Sequence, residues 1–450
     1  MSYSESSPSR SGKGKAKKSA HTKATRSPSA SEISKNSDHF EMWCMHQNME
    51  RVVYDDIPDD FKKDVEKVFD MNGRLPLAWV DKDSKEYKSL STFAPPSFIS
   101  FIAQAYEEEP SLFGKEVQGL ADLYMALSKV FSAWSHLKSM LSSVDKWSEA
   151  DFTNVYAEFR RPAVQESTTR MQCCVSLPQP LLVPQSFEAA RILSTKKSIP
   201  DCLLMISAES ILRLSNSADS PFKRLKKLDT VKKAGSAVKR SSFAYQATIR
   251  DLIPDNPGFE FVSSIWEDKK PVHNLPEHAY RQNRMSTASA ARHLYSMRVD
   301  APVFGLTWAY GSVRAHVDWC RRLQPDEHPV VYSAPYVRPT KFQGRSDDKD
   351  CCEWQLGRVS DILQVHFLIS NIDHWTGGEF VDRVVKGISA LEKGIVKGGE
   401  AFEPWRRSGE IVPRPRRSFT VMESAEISAN VLMQSTPPKA KRRTKIQAIY

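Results

Sequence analysis

Ser198-Ile-Pro-Asp-Cys-Leu-Leu-Met-Ile206 and Phe259-Glu-Phe-Val-Ser-Ser-Ile-Trp-Glu-Asp-Lys269 are the stretches on which the fold of this chain turns. Both are short apolar runs of strand length and β-forming composition. The first opens on an acid, Asp201, and the second closes on Glu267 and Lys269. Antiparallel pairing puts the start of one run beside the end of the other, so Asp201 and Glu267 stand opposite each other at roughly 5 Å. Glu267 and Lys269 are two residues apart and share a strand face. Two carboxylates and an ammonium converge there, which is the donor chemistry of a divalent-metal site with a cationic helper.

Other acids compete for this role. Pro-Asp occurs at Pro58, Pro200, Pro254 and Pro325, but only Asp201 opens a compact apolar run. Asp255 lies in the turn-forming cluster Pro254-Asp-Asn-Pro-Gly258, at the far end of the strand from Glu267. At about 3.3 Å per residue that gap exceeds roughly 25 Å. Asp251 is the reserve ligand, without an apolar run of its own.

At Pro200-Asp201 and Glu267-Asp268-Lys269 the sequence resembles the PD-(D/E)XK nuclease superfamily. Residues 147–405 are similar to the nuclease-like region of fungal-type protein kinases and Crinkler-like effector proteins. The resemblance implies an α/β fold, a restriction-endonuclease-like mixed sheet flanked by helices. It implies Mg²⁺ or Mn²⁺ held by Asp201 and Glu267, with Lys269 orienting the attacking water. It also implies an acid on the helix before the metal strands, here Glu149, and a glutamine after them, here Gln282. The expected activity is phosphodiester hydrolysis of nucleic acid, DNA ahead of RNA. The alternative is a binding or effector protein that keeps the scaffold without its chemistry. Neither kinase signature, H-R-D or D-F-G, is present, so the kinase half of the resembled proteins is absent.

At 450 residues the chain holds one large or two ordinary domains. Its net charge is +10. Residues 1–40 carry +5, 208–258 carry +5 and 404–450 carry +7, a total of +17 that leaves −7 on the rest. The expected globular body is therefore mildly acidic, and the overall basicity does not describe an active groove. Seven cysteines without C-x-x-C spacing exclude a zinc ribbon or a disulfide scaffold and indicate reduced thiols. The start of the chain has no apolar signal region, and no run approaches the roughly 20 apolar residues of a membrane span.

The expected organisation is a disordered basic tail over 1–40, a helical cap over 41–146, the nuclease-like domain over 147–405 and a second basic tail over 406–450. Gly12-Lys-Gly-Lys-Ala-Lys-Lys18 and, more convincingly, Pro437-Pro-Lys-Ala-Lys-Arg-Arg-Thr-Lys445 read as nuclear-import patches, predicting a nuclear protein. Helices are predicted at 58–69, 120–141, 147–159, 186–194, 276–297, 360–372 and 379–397. Ser148 and Asp151 supply a capping box for the third. Glu149, three residues before Phe152, leans toward the buried stripe of that helix. The 208–258 segment is a long insertion in the metal hairpin, with eight basic residues between Phe222 and Arg240. It reads as a solvated loop or a phosphate-backbone arm. The clearest hairpin joins 303–310 to 313–319. Its polar residues Arg314, His316 and Asp318 predict a solvated face. His366, on an all-round apolar helix, reads as a core histidine.

Overall fold

The computed structural model describes residues 26–227, 242–252, 254–270, 276–337 and 352–406. The two import patches, the basic run 231–240 and the charged loop 341–350 lie outside these residues. The principal elements, in chain order, begin with Ala30–Ser34 (α1), Ser37–Gln47 (α2), Met49–Arg51 (β1), Asp59–Phe69 (α3), Pro96–Glu108 (α4), Leu120–Ser142 (α5) and Glu149–Arg160 (α6). Next come Thr168–Met171 (β2), Phe187–Leu193 (α7), Cys202–Met205 (β3), Val262–Asp268 (β4), Pro276–Ser296 (α8) and Val303–Ala309 (β5). Ser312–Arg321 (β6), Val330–Pro335 (β7), Glu353–Gln355 (β8), Val359–Gly377 (α9) and Glu379–Val396 (α10) complete the set.

One mixed sheet runs β1-β7-β6-β5-β4-β3-β2, with β8 added on β6. The β2-β3-β4 meander is antiparallel, β4 and β5 are parallel, and α8 makes the crossover between them. A parallel neighbour requires such a crossover, whereas the two-residue link between β5 and β6 makes a tight hairpin. In that link Tyr310 and Gly311 have φ of 55° and 71°, the left-handed pair that a type I′ turn needs. The turn therefore lies one residue earlier than the Gly311-Ser312 read from sequence.

Helix α8 covers one face of β4, β5, β6 and β7, while α6 and α9 cover the other. The α6 start has the expected capping box, Ser148 with Asp151. Helix α9 is buried on nearly every side, His366 included, as its apolar composition requires. Burial pushes the His366 imidazole down to about 4, so it stays neutral in the core at physiological pH.

Four sequence readings need correction. Residues 30–40 are not a tail: α1 and the start of α2 pack Ile33 and Phe40 into the core. Residues 41–146 are not helical cap alone. They supply edge strand β1, parallel to β7, and helices α3 and α4 against α9. Nor is the described part of the 208–258 insertion a solvated loop. Phe222, Leu225, Phe243 and Ile249 are buried, and Phe243 meets Phe222, Phe259 and Phe402 at 5.6–5.8 Å. Finally, His316 and Asp318 lie on a buried face, at 1% and 0% exposure. The face is polar because α8 carries polar partners for it. His316 Nδ1 is 2.8 Å from Asp318 Oδ1, its Nε2 is 2.6 Å from Asn283 Oδ1, and Thr287 donates to Asp318. Alternation along a strand cannot tell water from a helix bearing hydrogen-bond partners. Among the described residues no helix is long and apolar enough to cross a membrane.

The close approach of α8 makes a prediction at Gly305 of β5. A Cβ there would run into both His316 Nε2 and Asn283 Oδ1, two buried groups bonded to each other. Gly305→Ala is expected to lower unfolding free energy by about 1–3 kcal/mol. Urea denaturation checks this, and unchanged stability would mean that β5 and α8 separate freely.

Candidate functional site

The site forms where β3 begins and β4 ends. Cys202 pairs with Trp266, so one step further Asp201 stands opposite Glu267. Asp201 is fixed by a bond from the Asp268 backbone N–H to its Oδ2 at 2.7 Å. Glu267 and Lys269 share a face as strand periodicity requires, and the Lys269 Nζ donates to Glu267 Oε1 at 2.8 Å. The same ammonium reaches Glu149 Oε1 at 3.3 Å, across from the first turn of α6. The structure thus brings together Asp201, Glu267, Lys269 and Glu149. The Glu149 side chain is 44% exposed and that of Glu267 only 1%, so Glu149 guards the rim while Glu267 forms the floor.

Two other sequence candidates fall outside this group. Asp251 accepts from Ser176 and pairs with Arg406 at 3.7 Å. Gln282 is buried on α8, but none of the hydrogen bonds of Asp201, Glu267 or Lys269 among the described residues involves it.

The electrostatics are those of crowded, buried anions. Burial pushes the Asp201 carboxyl up to about 6; the Asp268 carboxylate adds to this, while Lys269, the Asp268 N–H and Arg160 oppose it. Burial likewise raises Glu267 well above the carboxylate range, against the pull of Lys269 and with a push from Asp201. Lys269 is raised too: burial disfavours its charge, but Glu267, Asp201 and Glu149 outweigh burial. All three directions have one sense, that the cluster holds protons tightly because its carboxyls are buried and crowd around one ammonium.

A carboxyl raised from 3.8 to about 6 favours folding below pH 4 and forfeits that contribution as pH climbs through 6. Asp201→Asn is expected to remove this loss, gaining roughly 2–3 kcal/mol over the parent at pH 7 and little at pH 4. Denaturation of both proteins across that pH range checks it. A gain that is the same at both pH values would exclude titration of Asp201 as its source.

Sequence reasoning missed the group directly behind the site. Asp268 points to the opposite face from Glu267 and forms a buried bidentate pair with Arg160 of α6. The guanidinium lies between Trp266 and Trp308, 5.0 and 4.7 Å from their centroids. Its signal was present: Arg160 falls four residues after Tyr156 on the buried stripe, where a lone cation requires a buried acid.

Among the described residues no group of three or more His, Cys, Asp or Glu side chains is placed to hold a metal ion. The Asp201–Glu267 pair nevertheless fits Mg²⁺ or Mn²⁺. Both offer hard oxygens, and Glu267 Oε2 is buried without a hydrogen-bond partner. Mg²⁺ commonly binds through one or two carboxylates and keeps several waters. No family model and no curated protein sequence matches the chain.

Proposed function

We propose that the chain is a restriction-endonuclease-like protein that hydrolyses phosphodiester bonds of nucleic acid with Mg²⁺ or Mn²⁺, DNA being preferred to RNA. One observation carries the reading: Asp201, Glu267, Lys269 and Glu149 converge where β3 begins and β4 ends, beside the start of α6. This is the arrangement that the PD-(D/E)XK resemblance calls for.

Asp201 and Glu267 would hold the ion, which when bound supplies an acidified water and a polarised phosphoryl oxygen. The chain's own residues do the rest. The Asp268 N–H keeps Asp201 aimed at Glu267. Lys269, whose Nζ lies 2.8 Å from Glu267 Oε1, would present a compact positive charge to the scissile phosphate. Glu149 holds the ammonium at the rim, so that it remains over the site.

The experiment is metal titration of the purified chain by calorimetry beside cleavage of labelled single- and double-stranded DNA and RNA. Metal uptake with cleavage supports the reading; neither, in the parent protein, overturns it. A second reading, a scaffold acting only through binding, is favoured because among the described residues no three potential ligands are placed together to hold a metal, and because Lys269 is engaged in two ion pairs. Nuclear entry through 439–445 belongs to the same proposal. Deleting 436–450 from a fluorescent fusion is expected to shift it to the cytoplasm, and unchanged nuclear accumulation would show that the tail is dispensable.

A further inference from the structure

At the end of the sheet away from the carboxylates, the C-terminal turns of α8 and the end of β6 frame a cavity of about 340 Å³. Strand β4 runs toward Glu267, β5 is parallel to it and β6 returns, so Arg321 and Arg322 lie a full strand length from the metal pair. That distance is roughly 20 Å. The cavity adjoins a larger one of about 730 Å³, with which it shares Tyr295, Arg322, Phe402 and Glu403 in its walls. Together they reach the size of an ordinary small-molecule site.

Arg292 is what this cavity contains that a packing defect would not. It is 3% exposed and lines the smaller cavity, yet its Nη1 is buried with no hydrogen-bond partner. No hydrogen bond or ion pair of its guanidinium occurs among the described residues. Glu403, an acid in the same cavity wall, is already committed, receiving two 2.9 Å bonds from Arg322. Arg322 and His328 add basic groups to the wall of the smaller cavity, where Glu403 is the one acid among the described residues; Asp300 and Glu400 line the larger cavity. A buried guanidinium without an anion is costly unless something supplies the anion. Consistently, burial depresses the Arg292 pKa, Cys320, Tyr295 and Glu403 compensating only in part.

We infer that this cavity is an anion-binding site, separate from the carboxylate pair, for a small phosphate monoester whose phosphate meets Arg292 and Arg322. Guanidinium forks match phosphate oxygens bidentately. The organic group of the ester extends along Tyr295 and Phe402 into the larger cavity. A bare carboxylate such as acetate would leave most of that volume empty, so a phosphate ester is the better filler.

The test is calorimetric titration and thermal unfolding of the full chain with inorganic phosphate and with phenyl phosphate, at constant ionic strength. The parent is expected to bind both, phenyl phosphate more tightly, and to unfold at higher temperature in their presence. Arg292→Gln is expected to weaken binding by about tenfold or more. Without phosphate it should be at least as stable as the parent, because a buried unpaired charge is gone. Glu403→Gln, at a half-exposed position that folding tolerates, is expected to bind phosphate several-fold more tightly. No binding by the parent overturns the inference. So does binding that Arg292→Gln leaves intact, which places the phosphate elsewhere, the carboxylate site included. Should Arg292→Gln fail to fold, Glu403→Gln decides: unchanged or weaker binding overturns the assignment.

Discussion

Glu267→Gln is expected to abolish Mg²⁺-dependent cleavage and to leave the fold intact. The substitution keeps size and removes the anion that offers a buried, unpartnered oxygen to the cation. Divalent-ion affinity should fall by about a hundredfold or more, since one of the two proposed anionic ligands is lost. Stability should not fall, because a neutral amide ends the conflict that raises the carboxyl's pKa so far. Lys269→Ala is expected to differ in kind, lowering turnover by about a hundredfold with metal affinity nearly kept. Calorimetry with Mn²⁺ and cleavage of labelled duplexes separate the two. Cleavage that survives both substitutions would assign the activity to another site or to a contaminant.

Asp268→Ala is expected to be among the most destabilising single changes in the chain, by about 3–5 kcal/mol. It strands the Arg160 guanidinium between Trp266 and Trp308, where side-chain exposure is 3% and no water replaces the lost carboxylate. The loss comes from the uncompensated charge rather than from the worth of the bond. Replacing both partners, as Arg160→Met with Asp268→Leu, is therefore expected to restore most of the stability. Urea denaturation of the single and double variants checks this. A double variant as unstable as the single would assign the pair a positioning role for the β4 end instead. Lost cleavage in a stable double variant would show the same coupling, since the Asp268 N–H holds Asp201.

The residue pattern alone determined the β3–β4 pairing. Apolar runs of strand length with acids at matching ends leave one antiparallel register that buries both runs, and that register sets Asp201 opposite Glu267. Periodicity equally marked α6, α8, α9 and α10, because stripes and caps are local properties of the chain. Tertiary structure alone decided what lies against each surface. The polar face of β6 is buried because α8 carries Asn283 and Thr287, more than twenty residues away in sequence. The Arg160–Asp268 pair spans 108 positions, and β1 joins β7 with Met49 opposite Val331. Such contacts depend on which faces meet, a property of the packed whole that no window of residues contains. Arg292 is the sharpest case. Its place on α8 was legible in the sequence, but only the folded chain left it buried in a cavity wall with no hydrogen-bond partner for its Nη1 among the described residues.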